Sequence, residues 1–329
     1  MLTLGCGSQQ APDEPEPPPG VVPSGVVCGG LHARATGFGI LGLEAGPGGV
    51  WFTSDGPTGD LHLAPDDGGA IVSTNIRPGF VTELRRKDNL FVFVAPAPLK
   101  EFRAVEARAG AKPYTVRKEE GINTFRVGGE ALFYSASAPA PSFSSSLRRV
   151  PLTGGDTTTV GSLSNPWAFA ADERSVCFIG AEGTLWSQSS DGGEPRALAT
   201  GFDSSLTWAT VAMDEANVYV GTTAGVVAVS RAGGAPRPLS RRTVSEIAVD
   251  GPNLYLVIPD ASKKTVTLER VPKGGGCAQT ILTGAYPART AGRMIVVKDG
   301  IVWARLRTSE TTPTNLYRLV ADRCVTTCP

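Results

Sequence analysis

From about residue 36 to its end, the chain alternates short apolar runs with polar, glycine-rich turns. The segment VAMDEANVYVGTTAGVVAVSRAGGAPRPLS, Val211 to Ser240, shows the pattern most plainly. It predicts four short strands near Thr207–Met213, Asn217–Gly221, Val226–Arg231 and Arg237–Ser240. Val, Leu, Ile, Tyr and Phe fill such runs because branched and aromatic side chains suit a pleated sheet, while Gly, Asp, Asn and Pro break the chain into turns. No stretch sustains a 3.6-residue period, so the pattern predicts strands with negligible helix.

The same frame recurs. It reads Leu43-EAGPGGVWF, Leu84-RRKDNLFVF, Phe125-RVGGEALFY, Phe169-AADERSVCF, Val211-AMDEANVYV, Ile247-AVDGPNLYL and Ile295-VVKDGIVWA. The spacing averages about 42 residues. Downstream of each copy, an apolar strand runs into a turn: LHLAPDDGGA, FRAVEARAGAKP, LRRVPLTGGD, LWSQSSDGGEP, VAVSRAGGAP, LERVPKGGGC and LYRLVADRC. Four strands per unit at this period predict an all-β chain, a seven-bladed β-propeller of four-stranded antiparallel blades. A lone blade cannot bury both of its faces, whereas stacking blades in a ring does so. Two stacked β-sandwiches would share the strand spacing, but one register running through the whole chain favours the ring.

Counted this way, each unit carries its own four strands, and the last ends in Cys324-VTTC. The segment Gly25-VVC-Gly29 would then run alongside blade 7 and lock the ring. Cys28, Cys277, Cys324 and Cys328 are the disulfide candidates. A bond from Cys28 to Cys324 or Cys328 would close a loop worth on the order of 5 kcal/mol in the chain-entropy picture. The alternative pairs Cys277 with Cys324, which hold nearly equivalent places in blades 6 and 7. Cys177 stands where other copies have Tyr or Phe and reads as a buried thiol.

The first residues, MLTLGCGSQQAPDEPEPPPGVVPSG, resemble the tail of a bacterial lipoprotein signal, with Gly5 before Cys6 and a polar, Pro-rich tether after it. The resemblance implies acylation at Cys6. The basic and most apolar parts of such a signal are missing, and Thr3 and Leu4 depart from the usual order. Residues 1–6 are therefore read as a signal remnant, 7–30 as a disordered tether, and 31–329 as the propeller. The AVDGPNLYL and ERVPKGGG segments resemble the repeats of bacterial extracytoplasmic propellers, the TolB-like and NHL-like families. That resemblance implies a binding or scaffold protein of the cell envelope, periplasmic or outer-membrane, with cysteines in an oxidising compartment.

Composition narrows the chemistry. Formal net charge is +0, so no basic field draws in nucleic acid. No apolar run approaches the ~20 residues of a membrane helix, which leaves the lipid at Cys6 as the membrane link. The histidines, His32 and His62, read as surface or packing residues, and no zinc spacing is present. Asp55, Asp60, Asp66 and Asp67 read as turn aspartates, because calcium needs six or more converging oxygens. Asp172, Asp214, Asp250 and Asp299 recur at one frame position and read as turn residues bonding their own backbone. Ser189–Gly193 matches the S-x-D-x-G core of a sialidase Asp box without its aromatic, and reads as a turn. No cofactor or metal site is expected, and the chain is expected to be a monomer.

The 1–2 and 3–4 turns within the blades are short and uniform. The 2–3 loops and the linkers between blades vary, as in Ser135–Ser146, Pro259–Lys264, Ala304–Thr314, Arg117-KEEGI and Gly284-AYPARTAGR. Variable loops usually carry recognition. The expected function is a non-catalytic module that binds a protein, peptide or glycan through that face. The alternative is a propeller enzyme, a lyase or glycan hydrolase, with its site at the channel mouth.

Overall fold

A computed structural model describes residues 32 to 320 apart from 36–39, 41, 55–58, 75, 77–80, 82, 96–99, 109, 139–144, 204–208, 261, 263–264, 286–294 and 307–314. Strand β1 is His32–Ala35. Blade 1 follows with β2 Leu43–Gly46, β3 Gly49–Thr53, β4 Leu61–Pro65 and β5 Val72–Ser73. Blade 2 holds β6 Leu84–Lys87, β7 Leu90–Ala95, β8 Lys100–Glu106 and β9 Tyr114–Glu119. Blade 3 holds β10 Ile122–Gly128, β11 Ala131–Ser137, β12 Ser145–Pro151 and β13 Thr158–Leu163. Blade 4 holds β14 Phe169–Ala171, β15 Ser175–Ile179, β16 Leu185–Ser189 and β17 Arg196–Ala199. Blade 5 holds β18 Thr210–Met213, β19 Asn217–Thr222, β20 Gly225–Ser230 and β21 Arg237–Ser240. Blade 6 holds β22 Glu246–Asp250, β23 Asn253–Asp260, β24 Thr265–Pro272 and β25 Gln279–Ala285. Blade 7 supplies β26 Ile295–Lys298, β27 Ile301–Leu306 and β28 Asn315–Val320.

Seven four-stranded antiparallel sheets result, and the first strands of neighbouring blades touch in turn all the way round, β2 against β6 at one end of the series and β2 against β26 at the other. The protein is a closed seven-bladed β-propeller. The expectation that unit 7 carries its own four strands is corrected here. Its outermost strand is β1, which pairs antiparallel with β28, His32 opposite Arg318. An edge strand drawn from the other end of the chain joins first blade to last by backbone hydrogen bonds. The locking element is His32–Ala35; residues 25–29 and 321–329 lie outside the described set.

Packing explains why the repeat is legible. Each second strand is sandwiched by blades on both sides, so it is apolar throughout instead of alternating. Thus β7, β11, β15 and β19 are buried along nearly their whole length. Trp303, Tyr134, Tyr219 and Tyr255 are the largest fully buried side chains, and full burial of a large apolar side chain contributes about 1.5–3 kcal/mol. Cys177 joins Ile179, Leu185 and Val220 in the core between blades 4 and 5, as a small hydrophobe. Short turns supply the rest. Gly225 sits at φ +128°, where a Cβ would lie 2.1 Å from the Ser240 carbonyl oxygen, so no other residue fits that turn without moving the strand.

Candidate functional site

The face carrying the 1–2 and 3–4 turns is knitted together. Asp172 accepts the backbone N–H groups of Arg174 and Ser175, and Asp214 those of Ala216 and Asn217, as turn chemistry requires. Each carboxylate also reaches the next blade. Arg231 donates to Asp172 at 2.5 Å, and Lys273 lies 2.6 Å from Asp214. Both cations sit directly after a third strand. At the closing seam the same latch has opposite polarity, with Lys298 in the first-strand place and Asp66 in the third-strand place. Asp250 differs again, accepting the Gly300 N–H of blade 7 at 2.9 Å. Asp299 departs from the expectation. It occupies a two-residue Asp-Gly turn at φ +52°, the geometry such hairpins favour. Burial opposes ionisation of Asp214, but donors from Lys273, Tyr219 and two backbone amides outweigh it and hold the carboxyl at about 2. Burial, reinforced by the Asp214 carboxylate, pushes the Tyr219 phenol up.

One bridge spans three blades. Lys87 in blade 2 donates to Glu173 in blade 4 at 2.7 Å. Gly128 of blade 3 occupies the corresponding turn position, and a Cβ there would lie 2.5 Å from the Asp172 carbonyl oxygen. A side chain in that turn would have no room.

The channel wall is asymmetric. On the first strands, the residue directly after the apolar residue that opens each copy of the frame reads, in blade order, Glu44, Arg85, Arg126, Ala170, Ala212, Ala248 and Val296. Blades 1–3 thus carry charge at this place, where blades 4–6 carry alanines packed in or against the cores between blades. Glu83, buried just before β6, gathers the arc. It accepts from Arg85, from Thr124 at 2.8 Å and from Arg126 at 3.1 Å. Arg85 also lies 3.8 Å from Glu44 of blade 1 and stacks over Phe125 of blade 3. Arg126 stacks over Phe169 of blade 4. Two guanidinium and two carboxylate groups balance one another, and the arc ties blades 1, 2 and 3 together. Sequence reading passed over this cluster. Its signal was the charged run Glu44, Arg85, Arg126 at one frame position otherwise held by Ala or Val.

On the other face, near the channel mouth, the linker from blade 3 to blade 4 exposes an aromatic. Trp167 is 50 % exposed, and its backbone N–H bonds the side-chain oxygen of buried Asn165 at 2.9 Å. The linker is held down by a bridge from Leu163 to Gly180 and by the Ser164 N–H to the Ile179 carbonyl. Trp186, on β16, donates its indole N–H to Glu182 of the adjoining 2–3 loop. A Trp fixed by its backbone but open on its ring is poised for contact. Of the expected recognition loops and linkers, residues 117–122 lie wholly in the described set; parts of the others lie outside it.

The remaining residues singled out by sequence fall as follows. His62, on β4, is buried, stacks on Phe52 and lies 3.4 Å from the Ser54 hydroxyl, away from the first-strand ring. Burial lowers its pKa and the Asp60 charge opposes that. His32 lies on β1. Asp67 accepts the Gly69 N–H as a turn residue, and Ser189 caps its own turn through Asp191 N–H and Gly192 N–H. Asp55 lies outside the described residues. Among the described residues, no cluster of His, Cys, Asp and Glu could hold a metal. Cys6, Cys28, Cys324 and Cys328 lie outside the described residues. Cys277 is half-buried in the 3–4 turn of blade 6, and the free cysteine of the described set is Cys177.

No protein-family model matches the chain, and no curated protein matches it. Solved structures do. The computationally designed Ika8 protein is 13 % identical, with a TM-score of 0.53 over 87 % of this chain and 98 % of that one. YCF48 from Cyanidioschyzon merolae is 9 % identical, with a TM-score of 0.55 over 89 % and 99 %. The WD40 β-propeller domain of Doa1 is 14 % identical, with a TM-score of 0.55 over 90 % and 99 %. At such identities the likeness is one of fold, and it places the chain among β-propellers.

Proposed function

We propose that the protein is an extracytoplasmic binding or scaffold propeller, anchored through lipid on Cys6, that holds a protein, peptide or glycan on its loop face. One observation carries the reading: the two faces are built for different work. The 1–2 and 3–4 turns are tied blade to blade by Arg231–Asp172, Lys273–Asp214 and Lys298–Asp66. The opposite face presents the half-exposed ring of Trp167 next to the channel mouth. Aromatic side chains supply much of the energy at recognition surfaces, and they suit peptide and sugar faces alike. The charged arc of blades 1–3 is closed by its own counter-ions, which favours binding over catalysis at the channel. In this reading residues 7–30 are a Pro-rich spacer between the anchor and the ring, and the protein works as a monomer in the cell envelope.

The test is capture from detergent-solubilised envelope with the anchored protein and with a soluble form lacking residues 1–6. Retention of the same partner by both forms, and its loss from Trp167→Ala, supports the reading. Partner binding unchanged by Trp167→Ala and by charge substitutions in the loops would sink it. Metabolic labelling with a fatty-acid analogue tests the anchor, with incorporation expected for the native chain and not for Cys6→Ser.

A further inference from the structure

We propose that the ring of Trp167 and the carboxylate of Glu182 form a docking point for a cation, and that the partner held on the loop face presents a Lys- or Arg-bearing peptide segment to blade 4. The proposal rests on the loop-face binding reading and names the chemistry of the segment which that reading leaves open.

The first observation is that the two side chains stand on adjoining segments. Trp167 lies in the linker that enters blade 4, and Glu182 in the turn between β15 and β16. Backbone hydrogen bonds stitch linker and turn side by side. The Ser164 N–H bonds the Ile179 carbonyl and the Ile179 N–H bonds the Ala168 carbonyl, each at 3.0 Å. Leu163 bridges Gly180. The Gly180 and Gly183 N–H groups close the turn on the Thr184 and Gly180 carbonyls. The linker that leaves blade 4 joins the same patch. Its Phe202 N–H bonds the Gly183 carbonyl at 3.0 Å, and exposed Asp203 follows.

The second observation is charge. Segments 163–168, 180–184 and 200–203 contain Glu182 and Asp203 but no Lys or Arg. Exposed Glu182 accepts the indole N–H of Trp186, a neutral donor that orients the carboxylate without cancelling its charge. Among the described residues no cation pairs with Glu182. Other exposed carboxylates are met by one, as Glu173 is by Lys87 and Glu106 by Arg108.

The third observation is the ring itself. Elsewhere the molecule seats cations over its aromatic rings: Arg85 over Phe125, Arg126 over Phe169, Lys273 over Tyr219 and Arg318 over Trp303, at 5.4 to 6.0 Å. Trp167 is 50 % exposed, and among the described residues neither a cation nor a second ring covers it. The face of an indole is the best aromatic acceptor of a cation, because its quadrupole is negative there. Ring face and carboxylate have the same sign, so both attract a cation and both repel an anion. A neutral sugar can stack on the ring and donate a hydroxyl to Glu182. Only a cation draws on the ring and the carboxylate charge together, which favours the basic peptide.

Fluorine NMR of protein labelled with 5-fluorotryptophan tests this. Each of the five tryptophans gives a resonance, and Trp167→Phe assigns that of Trp167. The probes are two acetylated, amidated pentapeptides, Gly-Lys-Gly-Arg-Gly and Gly-Gln-Gly-Gln-Gly, and the sugar chitotriose. The cationic peptide is expected to move the Trp167 resonance saturably, with an affinity about five-fold or more above that of the Gln peptide. Glu182→Gln keeps an acceptor for the Trp186 indole and removes the charge. It should weaken the cationic peptide about three-fold, leave the Gln peptide unaffected and leave the Trp186 resonance in place. Tighter binding of chitotriose, equal affinity for the two peptides, or no movement with any probe overturns the cation site. The partner captured from the envelope separates this failure from that of the loop-face reading. Loss of the partner from Trp167→Ala with full affinity in Glu182→Gln upholds the face and overturns the cation site. Full affinity in both variants overturns the two together.

Discussion

Asp214 shows how one side chain does two jobs. Its carboxylate caps its own turn and pairs with Lys273 of the next blade. Its folded pKa, about 2, lies below the ordinary 3.8. A depressed pKa contributes stability that is complete above the unfolded value and lost as pH falls through the folded one. The expected loss is roughly 2 kcal/mol between pH 4 and pH 2, read by urea unfolding across that range. In Asp214→Asn this part of the slope should vanish. The turn role was legible from sequence, because Asp recurred at one frame position. The cation partner was not, because it lies on another unit and nothing local marks it. Arg85 carries the channel arc in the same way. Arg85→Ala leaves Glu83 and Glu44 without it in a buried setting, and unfolding free energy should fall by about 3–5 kcal/mol. Glu83→Gln combined with Arg85→Met should recover part of that loss. Equal losses in the single and double variants would mean that the arc is not an electrostatic unit.

At the scale of elements, strand β1 matters most. Four residues pair with β28 and turn an open array into a ring. Deleting residues 32–35 bares the edge of blade 7, and Tm should drop by about 10 °C, with aggregation through the exposed edge. Differential scanning calorimetry reads this, and an unchanged Tm would contradict the closure. The blades themselves were legible because strands sandwiched by two neighbours must be apolar along their whole length, as in Leu90–Ala95 and Ala131–Ser137. Ring closure was misread for a definite reason. His32–Ala35 is a short edge strand of mixed character, HARA, without a run of large apolar residues. The C-terminal segment continued the frame in appearance up to Cys324. Pattern finds what is buried on both sides; an edge strand is chosen by which backbone it can reach.

For the whole molecule, division of labour between the faces is the main result. Latches and closely packed glycines tie one face, where Gly128 has no space for a side chain. The other offers Trp167 at the channel mouth. That division was partly legible, since loop lengths vary on one face alone. The exposure of Trp167 was not, because five tryptophans looked scattered until the ring placed Trp303 in the core and Trp167 in solvent. The most direct test of the binding account compares Trp167→Ala on the loop face with Glu215→Lys on the latched face. Glu215 is an exposed turn residue of blade 5. The measured quantity is each variant's affinity for the partner captured from the cell envelope. The account predicts that Trp167→Ala weakens binding by ten-fold or more, about 1.4 kcal/mol, while Glu215→Lys matches the native protein. Loss of binding in Glu215→Lys with full binding in Trp167→Ala would contradict it.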